Sequence, residues 1–353
     1  MSWTRDVDVA MGTRTRWVAL AAVGLGTVAF AGGLWGGGAP RAYGALIASW
    51  LFFAGAAVGA VAFRALFRLI DAGWARPLAP LAGAQASFLP AASVLLVVIV
   101  AGARIAPWIE QPTGWLATPF LILRELVLNA ALFGLAYLGF RQSARNKSPT
   151  LRASVVYLLV FTVVLSIWAF DFVVGPAPDW VGNTLIGPYL FVGAFIAGAG
   201  VITLVAVARG VLSERQRVDA GSLFLTLAIF WAYLFWSQYL TLWYGNLPDE
   251  IAFALRRRVD GWGVVVVAVI VLVFVVPFLG LLHPRGRRSP RVLGAVLVAQ
   301  LLGLWLNCNL LVLPSLSAPG TSALGLRDAL VALGMLGAFV LSTAPMVHRE
   351  LTT

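Results

Sequence analysis

Residues 231–250 read WAYLFWSQYLTLWYGNLPDE. Between Trp231 and Tyr244 the run carries seven aromatic side chains and no charge, with one amide, Gln238, in its middle. Upstream the apolar pattern reaches back to residue 221. The segment 221–244 therefore has the length, about 20 predominantly apolar residues, that a helix needs to cross a bilayer. It breaks at Gly245-Asn246-Leu247-Pro248 and presents two acids, Asp249 and Glu250, at the membrane edge. An anchor needs only Leu, Val and Phe. The mid-span Gln238–Tyr239 pair and the acids at the exit point instead to a helix that handles polar cargo.

Outward from this segment the same reading extends to the whole chain. The 353 residues are 61% hydrophobic and 11% charged, against about 45–50% and about 25% in soluble domains. Apolar runs of spanning length fall near 17–34, 43–66, 83–106, 117–140, 152–174, 185–208, 221–244, 262–282, 291–313 and 328–347. The fold class is an all-α integral membrane protein of about ten transmembrane helices, forming a single polytopic domain over 1–353. Pro90 is expected to interrupt the third span. Structural four-helix units over about 43–174 and 185–313 are compatible with the spacing, although no short repeat marks them. Arg14 and Arg16 ahead of an apolar stretch also match a secretory signal. A retained first span is preferred, because nine further spans need a membrane route in any case. Small-residue pairs such as Gly55 with Gly59, and Gly193 with Gly198 and Gly200, suit close helix packing in lipid. Trp3, Trp17, Trp35, Trp108, Trp115, Trp180, Trp243 and Trp262 fall near span ends, as an interfacial aromatic belt would.

Of the 25 Lys and Arg residues, 18 lie at the two termini and in the segments 64–76, 141–152, 209–217 and 285–291. The seven others are Arg41, Arg104, Arg124, Arg256, Arg257, Arg258 and Arg327. Basic loops stay in the cytoplasm, so both termini are expected there. The net charge of +11 is mostly this topology signal, and its scatter over short loops argues against nucleic-acid binding. A single cysteine, Cys308, rules out an internal disulfide and a self-contained iron–sulfur cluster, which usually takes four thiolates. The only histidines, His283 and His348, lie at span ends, where they cannot ligate a haem inside the membrane. No metal site is expected.

Charges inside spans are costly and tend to be paired or functional. Arg124 and Glu125 fall about two turns inside the fourth span, Asp171 near the outer end of the fifth and Arg104 at the end of the third. With Gln238 and Tyr239 they share the outer half of the membrane. Successive helical residues point about 100° apart, so Arg124 and Glu125 cannot both face one partner squarely. The expected arrangement pairs Arg124 with Asp171 and turns Glu125 toward an internal water file. The competing reading is a buried clasp that only fixes packing. Ser93, Asn129, Thr162, Ser166, Thr203 and Thr226 are further candidates to line a hydrated path, and Asn307 and Asn309 add two amides in span nine. The basic run Arg256-Arg257-Arg258, next to Asp249 and Glu250, reads either as a dock for an acidic extrinsic partner or as a solvated surface helix.

Two stretches carry a family resemblance. Ser166-Ile167-Trp168-Ala169-Phe170-Asp171-Phe172, leading through Trp180 to Gly187-Pro188-Tyr189-Leu190-Phe191, is one; residues 231–250 are the other. Together they resemble the ActF-type membrane subunits of alternative complex III, a bacterial quinol:cytochrome c oxidoreductase, within the wider NrfD-like (polysulfide-reductase membrane subunit) group. The quoted motifs cover about a third of the chain; the span count fits over all of it. The resemblance implies two four-helix bundles flanked by two extra helices, in a bacterial inner membrane. It implies a sister NrfD-like subunit (ActC-like) carrying the quinol site, with iron–sulfur and haem-c subunits outside the membrane. No cofactor would then be bound by this chain, which would not be catalytic alone and would conduct protons in support of respiratory or photosynthetic electron transfer. The family's membrane acid maps onto Asp171, and its Gln–Tyr and Pro-acid-acid elements onto Gln238, Tyr239, Pro248, Asp249 and Glu250. Trp305-Leu306-Asn307 departs from the family, which has an acid there; Asn307 cannot titrate. Rival readings are an NrfD-type subunit that itself oxidises quinol and a stand-alone secondary transporter.

The charge bias yields a direct test. With Cys308 replaced, a cysteine at Asn183 should react with a membrane-impermeant maleimide added outside whole cells, and one at Asn146 should react only after lysis. The opposite pattern would invert the topology.

Overall fold

Where the helices stop follows from local chemistry. In the computed structural model, which describes residues 12–35, 37–105, 114–143, 150–177, 185–246 and 248–352, all regular structure is helical. Ten helices are long and apolar enough to cross a membrane: α1 (Thr13–Gly33), α2 (Ala39–Leu69), α3 (Gly73–Ala103), α4 (Thr118–Gly139), α5 (Leu151–Val174), α6 (Ile186–Ala208), α7 (Glu214–Gly245), α8 (Trp262–Leu282), α9 (Pro290–Leu316) and α10 (Leu326–Thr352). The chain is an all-α, multi-pass membrane protein, as its composition requires. The helix α7 starts at a capping box: Ser213 accepts the Gln216 N–H, and Gln216 Oε1 accepts the Ser213 N–H. It ends at Asn246, whose φ of 46° is left-handed, at the break expected from Gly245 to Pro248. Helix α3 gives way to a 3₁₀ turn over Ala86–Phe88 just before Pro90, because proline has no N–H and its ring excludes the carbonyl four residues back.

Helix α2 is the hub, with 94% of its most apolar window buried. It packs against α3, α5, α6, α9 and α10. Helices α2 to α5 contact one another, α6 to α9 do the same, and the two groups meet along α2–α6 and α2–α9. That interface is backbone on backbone. A Cβ added to Gly59 would fall onto the Ala194 carbonyl, and one on Gly198 onto the Ala60 nitrogen. Helices α1 and α10 pair with each other, and α10 also packs on α2 and α3; a Cβ on Gly26 would come within 2.6 Å of the Gly334 Cα. Lipid gives no hydrophobic drive between helices, so this closeness supplies the van der Waals attraction that holds them.

Prolines inside spans create a second demand. Pro277 has no N–H to return to the Val273 carbonyl, and α8 widens there into a π turn over Val271–Val275. Gln300 of α9 donates its Nε2 to that carbonyl at 3.3 Å. Pro314 likewise releases the Leu310 carbonyl of α9, which accepts from Arg257 Nε at 2.8 Å. In hydrocarbon no water can fill either role.

Of the tryptophans read as an interfacial belt, Trp17, Trp35 and Trp243 are exposed, whereas Trp262 is buried and packs in the protein. Trp3, Trp108 and Trp180, like Asn146 and Asn183, lie outside the described residues.

An unmet buried carbonyl costs about 1–3 kcal/mol. Gln300→Leu should lower stability by that amount in reversible unfolding in micelles. In a Pro277→Ala background, where an N–H returns at position 277, the loss should shrink. Equal losses in both backgrounds would refute the capping account.

Candidate functional site

Three intramembrane charges predicted from the sequence meet between α4 and α5. The last turn and a half of α5, Ala169–Val174, is a π helix, closed by Gly175 N–H donating to the Phe170 carbonyl at 2.8 Å. One extra residue per turn changes the direction of the side chains that follow, by roughly 100° per residue. Such π turns are frequent at functional sites. The turn rests on a buried aromatic cluster: Trp50 lies 4.5 Å from Trp168 and 5.8 Å from Phe172, centroid to centroid. It holds Asp171, which is fully buried.

Arg124 grips Asp171 Oδ2 with Nη2 at 2.6 Å and Nε at 3.0 Å. The other carboxylate oxygen, Oδ1, accepts from Trp115 Nε1 at 3.0 Å. Arg124 Nη1 donates to the Trp115 carbonyl at 2.9 Å, which closes a ring of three residues. The guanidinium also lies 3.9 Å from the Trp115 ring centroid and 4.7 Å from that of Phe120, where the aromatic faces attract it. Gly114, at φ 56°, turns the chain so that Trp115 can reach the pair. The sequence marks Trp115 only as an interfacial aromatic; nothing there distinguishes it from its neighbours.

Glu125 departs from Arg124 at the expected angle. It is fully buried, and its Oε2 accepts from Asn129 Nδ2 at 2.9 Å. The same amide donates to the Glu125 carbonyl at 2.7 Å. The Glu125 carboxyl lies within interaction range of Asp171, and its Oε1 meets no donor among the described residues. The cluster thus combines two carboxyl groups with one guanidinium. Ionised together they would leave one negative charge uncompensated where water is excluded.

Most of the hydroxyls expected to line a path bond to their own helices. Ser93, Thr162, Ser166 and Thr226 donate to the carbonyls four residues back, the usual alternative for such side chains. Thr203 Oγ1 has no partner among the described residues.

Gln238 and Tyr239 do not join this cluster. They line a separate cavity of ≈150 Å³ with Tyr189, Asn307 and Arg257, in which Tyr189 donates its hydroxyl to Asn307 Oδ1 at 2.6 Å. Arg257 corrects the expectation for the basic run 256–258. Its side chain is buried and donates to the carbonyls of Phe253, Leu310 and Leu311 at 2.8, 2.8 and 2.6 Å. It caps the C-terminal end of α9, where the helix dipole favours a cation, and burial pulls its guanidinium below the usual arginine range. Only Arg256 and Arg258 are exposed. Asp249 and Glu250 belong to the short helix Pro248–Arg256, but their side chains, like that of Arg104, lie outside the described residues.

No protein-family model matches the chain, and no curated protein matches it.

Removing one partner of a buried ion pair costs about 3–5 kcal/mol. Arg124→Met should therefore destabilise the protein by that much, and by less in an Asp171→Asn background. Additive losses would mean that the two side chains are not coupled.

Proposed function

We propose that this chain is a non-redox membrane subunit of an alternative complex III-type quinol:electron-acceptor oxidoreductase, and that Glu125 and Asp171 support proton transfer in it. The observation behind the proton role is the buried pair of carboxyl groups sharing one arginine. Arg124 and Trp115 engage both oxygens of Asp171. Glu125 keeps one oxygen free of any described donor. Two carboxyl groups this close are best accommodated with one proton between them. Glu125 is then the member that takes up and releases the proton, while Asp171, fixed by Arg124, sets the local charge. Asn129, bonded to both the backbone and the carboxyl of Glu125, orients it.

Membership in the complex rests on the resemblance of residues 166–191 and 231–250 to ActF-type subunits. On this reading the protein sits in a bacterial inner membrane with both ends in the cytoplasm. A sister ActC-like subunit oxidises quinol, and iron–sulfur and haem-c subunits dock at the outer face, where Arg256 and Arg258 are exposed. Haem c, iron–sulfur clusters and quinol all belong to those partners.

Affinity purification of the tagged chain from its native membrane should bring down multihaem and iron–sulfur subunits; isolation alone at full yield would rule out the complex. Glu125→Gln should leave that assembly intact. It should lower proton release per electron in reconstituted vesicles at least severalfold, with the electron-transfer rate falling less. Wild-type proton release from the assembled variant would rule out a conducting role for Glu125 and leave the cluster as a packing clasp.

A further inference from the structure

The turn between α2 and α3 encloses a cavity that the proton cluster does not use. Helix α2 ends in a Schellman motif: Ile70 is its C-cap, Asp71 adopts φ 47°, and Ala72 N–H donates to the Phe67 carbonyl at 3.0 Å. This reversal lays the 3₁₀ turn Gly73–Leu78 back beside the end of α2. Between them lies a space of ≈400 Å³ whose lining includes Phe63, Arg64, Phe67, Arg68, Asp71 and Arg76. Arg64 and Arg68 stand one turn apart on the same face of α2. The floor is aromatic: Phe63 stacks on Phe67 at 4.3 Å, and Trp74 meets Phe67 edge-on at 5.3 Å. Ile70, the C-cap of α2, is 61% exposed.

The arginines are largely unspent. Arg64 makes one long hydrogen bond, 3.4 Å to the Gly139 carbonyl. Among the described residues Arg68 makes no hydrogen bond or ion pair. Arg76 meets Asp71 at 3.4 Å, with both side chains 76% exposed, a contact of little strength in water. Opposing charges are few. Asp71 is the one carboxylate in the lining, Glu350 acts on Arg64 from a distance, and the end of α2 adds about half a negative charge. Three guanidinium groups exceed these together.

We infer that the Arg64, Arg68 and Arg76 cavity seats a phosphate group, supplied by the headgroup of an anionic phospholipid or by free phosphate. Guanidinium forks match phosphate oxygens in pairs, and basic pockets between helices at the cytoplasmic side of a membrane hold anionic headgroups. The aromatic floor favours the lipid, whose upper acyl carbons give Phe63 and Phe67 an apolar partner.

The test uses the full chain purified in detergent and examined by native mass spectrometry with phosphatidylglycerol, phosphatidylcholine or inorganic phosphate added. Wild type should retain phosphatidylglycerol over phosphatidylcholine. Each of Arg68→Gln and Arg76→Gln should weaken retention about fivefold, since one arginine near a surface contributes about a kcal/mol. Asp71→Asn should strengthen it by a similar factor, and asparagine tolerates the left-handed backbone there. Phosphate bound without lipid, and lost in the same arginine variants, would keep the seat and assign it to the free ion. Equal retention of the two lipids, or arginine and Asp71 variants that bind as wild type does, would overturn the inference.

Discussion

Water is absent from the hydrocarbon, so every backbone carbonyl that a helix releases must find a donor inside the protein. This protein releases several. Pro277 and Pro314 each interrupt a spanning helix, and a side chain from outside that helix answers each: Gln300 for Val273, Arg257 for Leu310. Trp50 and Tyr157 form similar links, to the Ala92 and Val58 carbonyls at 2.8 Å each. Polar residues that look like transport groups in a sequence can thus be structural. Arg257 shows this most plainly, since an arginine beside two others at a span exit reads as a surface charge until its three carbonyl partners are seen.

The Arg124–Asp171–Trp115 ring meets the same constraint by pairing charge with charge, and it does so on backbone that is itself irregular. The π turn at Ala169–Val174 carries Asp171, and the left-handed Gly114 carries Trp115. Both deviations bring polar groups to a guanidinium on a regular helix. Glu125, one residue away from Arg124, keeps its own amide partner and an oxygen that meets no donor among the described residues. In the proposed function, proximity to the clasp rather than membership in its ring is what lets this carboxyl exchange its proton.

The ten spans and the all-helical class were legible because hydropathy over about 20 residues is a strong signal. The Arg124–Asp171 pair was legible too, since opposite charges in hydrocarbon at matching depth have few other options. The role of Trp115 was not, because an indole near a span end looks the same whether it faces lipid or a carboxylate. Gln238 and Tyr239 are expected from their place in the chain to share the depth of the cluster, yet they line a separate cavity; depth can be counted along a chain, and lateral placement cannot. The π turn has no sequence signature for a related reason: no proline or glycine lies within 169–174 to announce it.

The pairing of α1 with α10 bears on how the chain is made. The most apolar window of α1 is only 22% buried in the finished protein, and most of its packing is against α10. A ribosome delivers α1 first and α10 last. The first helix must therefore wait in the bilayer, surrounded by lipid, while eight others are inserted and folded around α2. Its face of Ala19, Ala22 and Gly26, shaped for Gly334 and Gly337, remains unmatched until α10 has been made. Premature termination before α10 would leave that face exposed and give quality-control proteases a simple mark of an unfinished molecule.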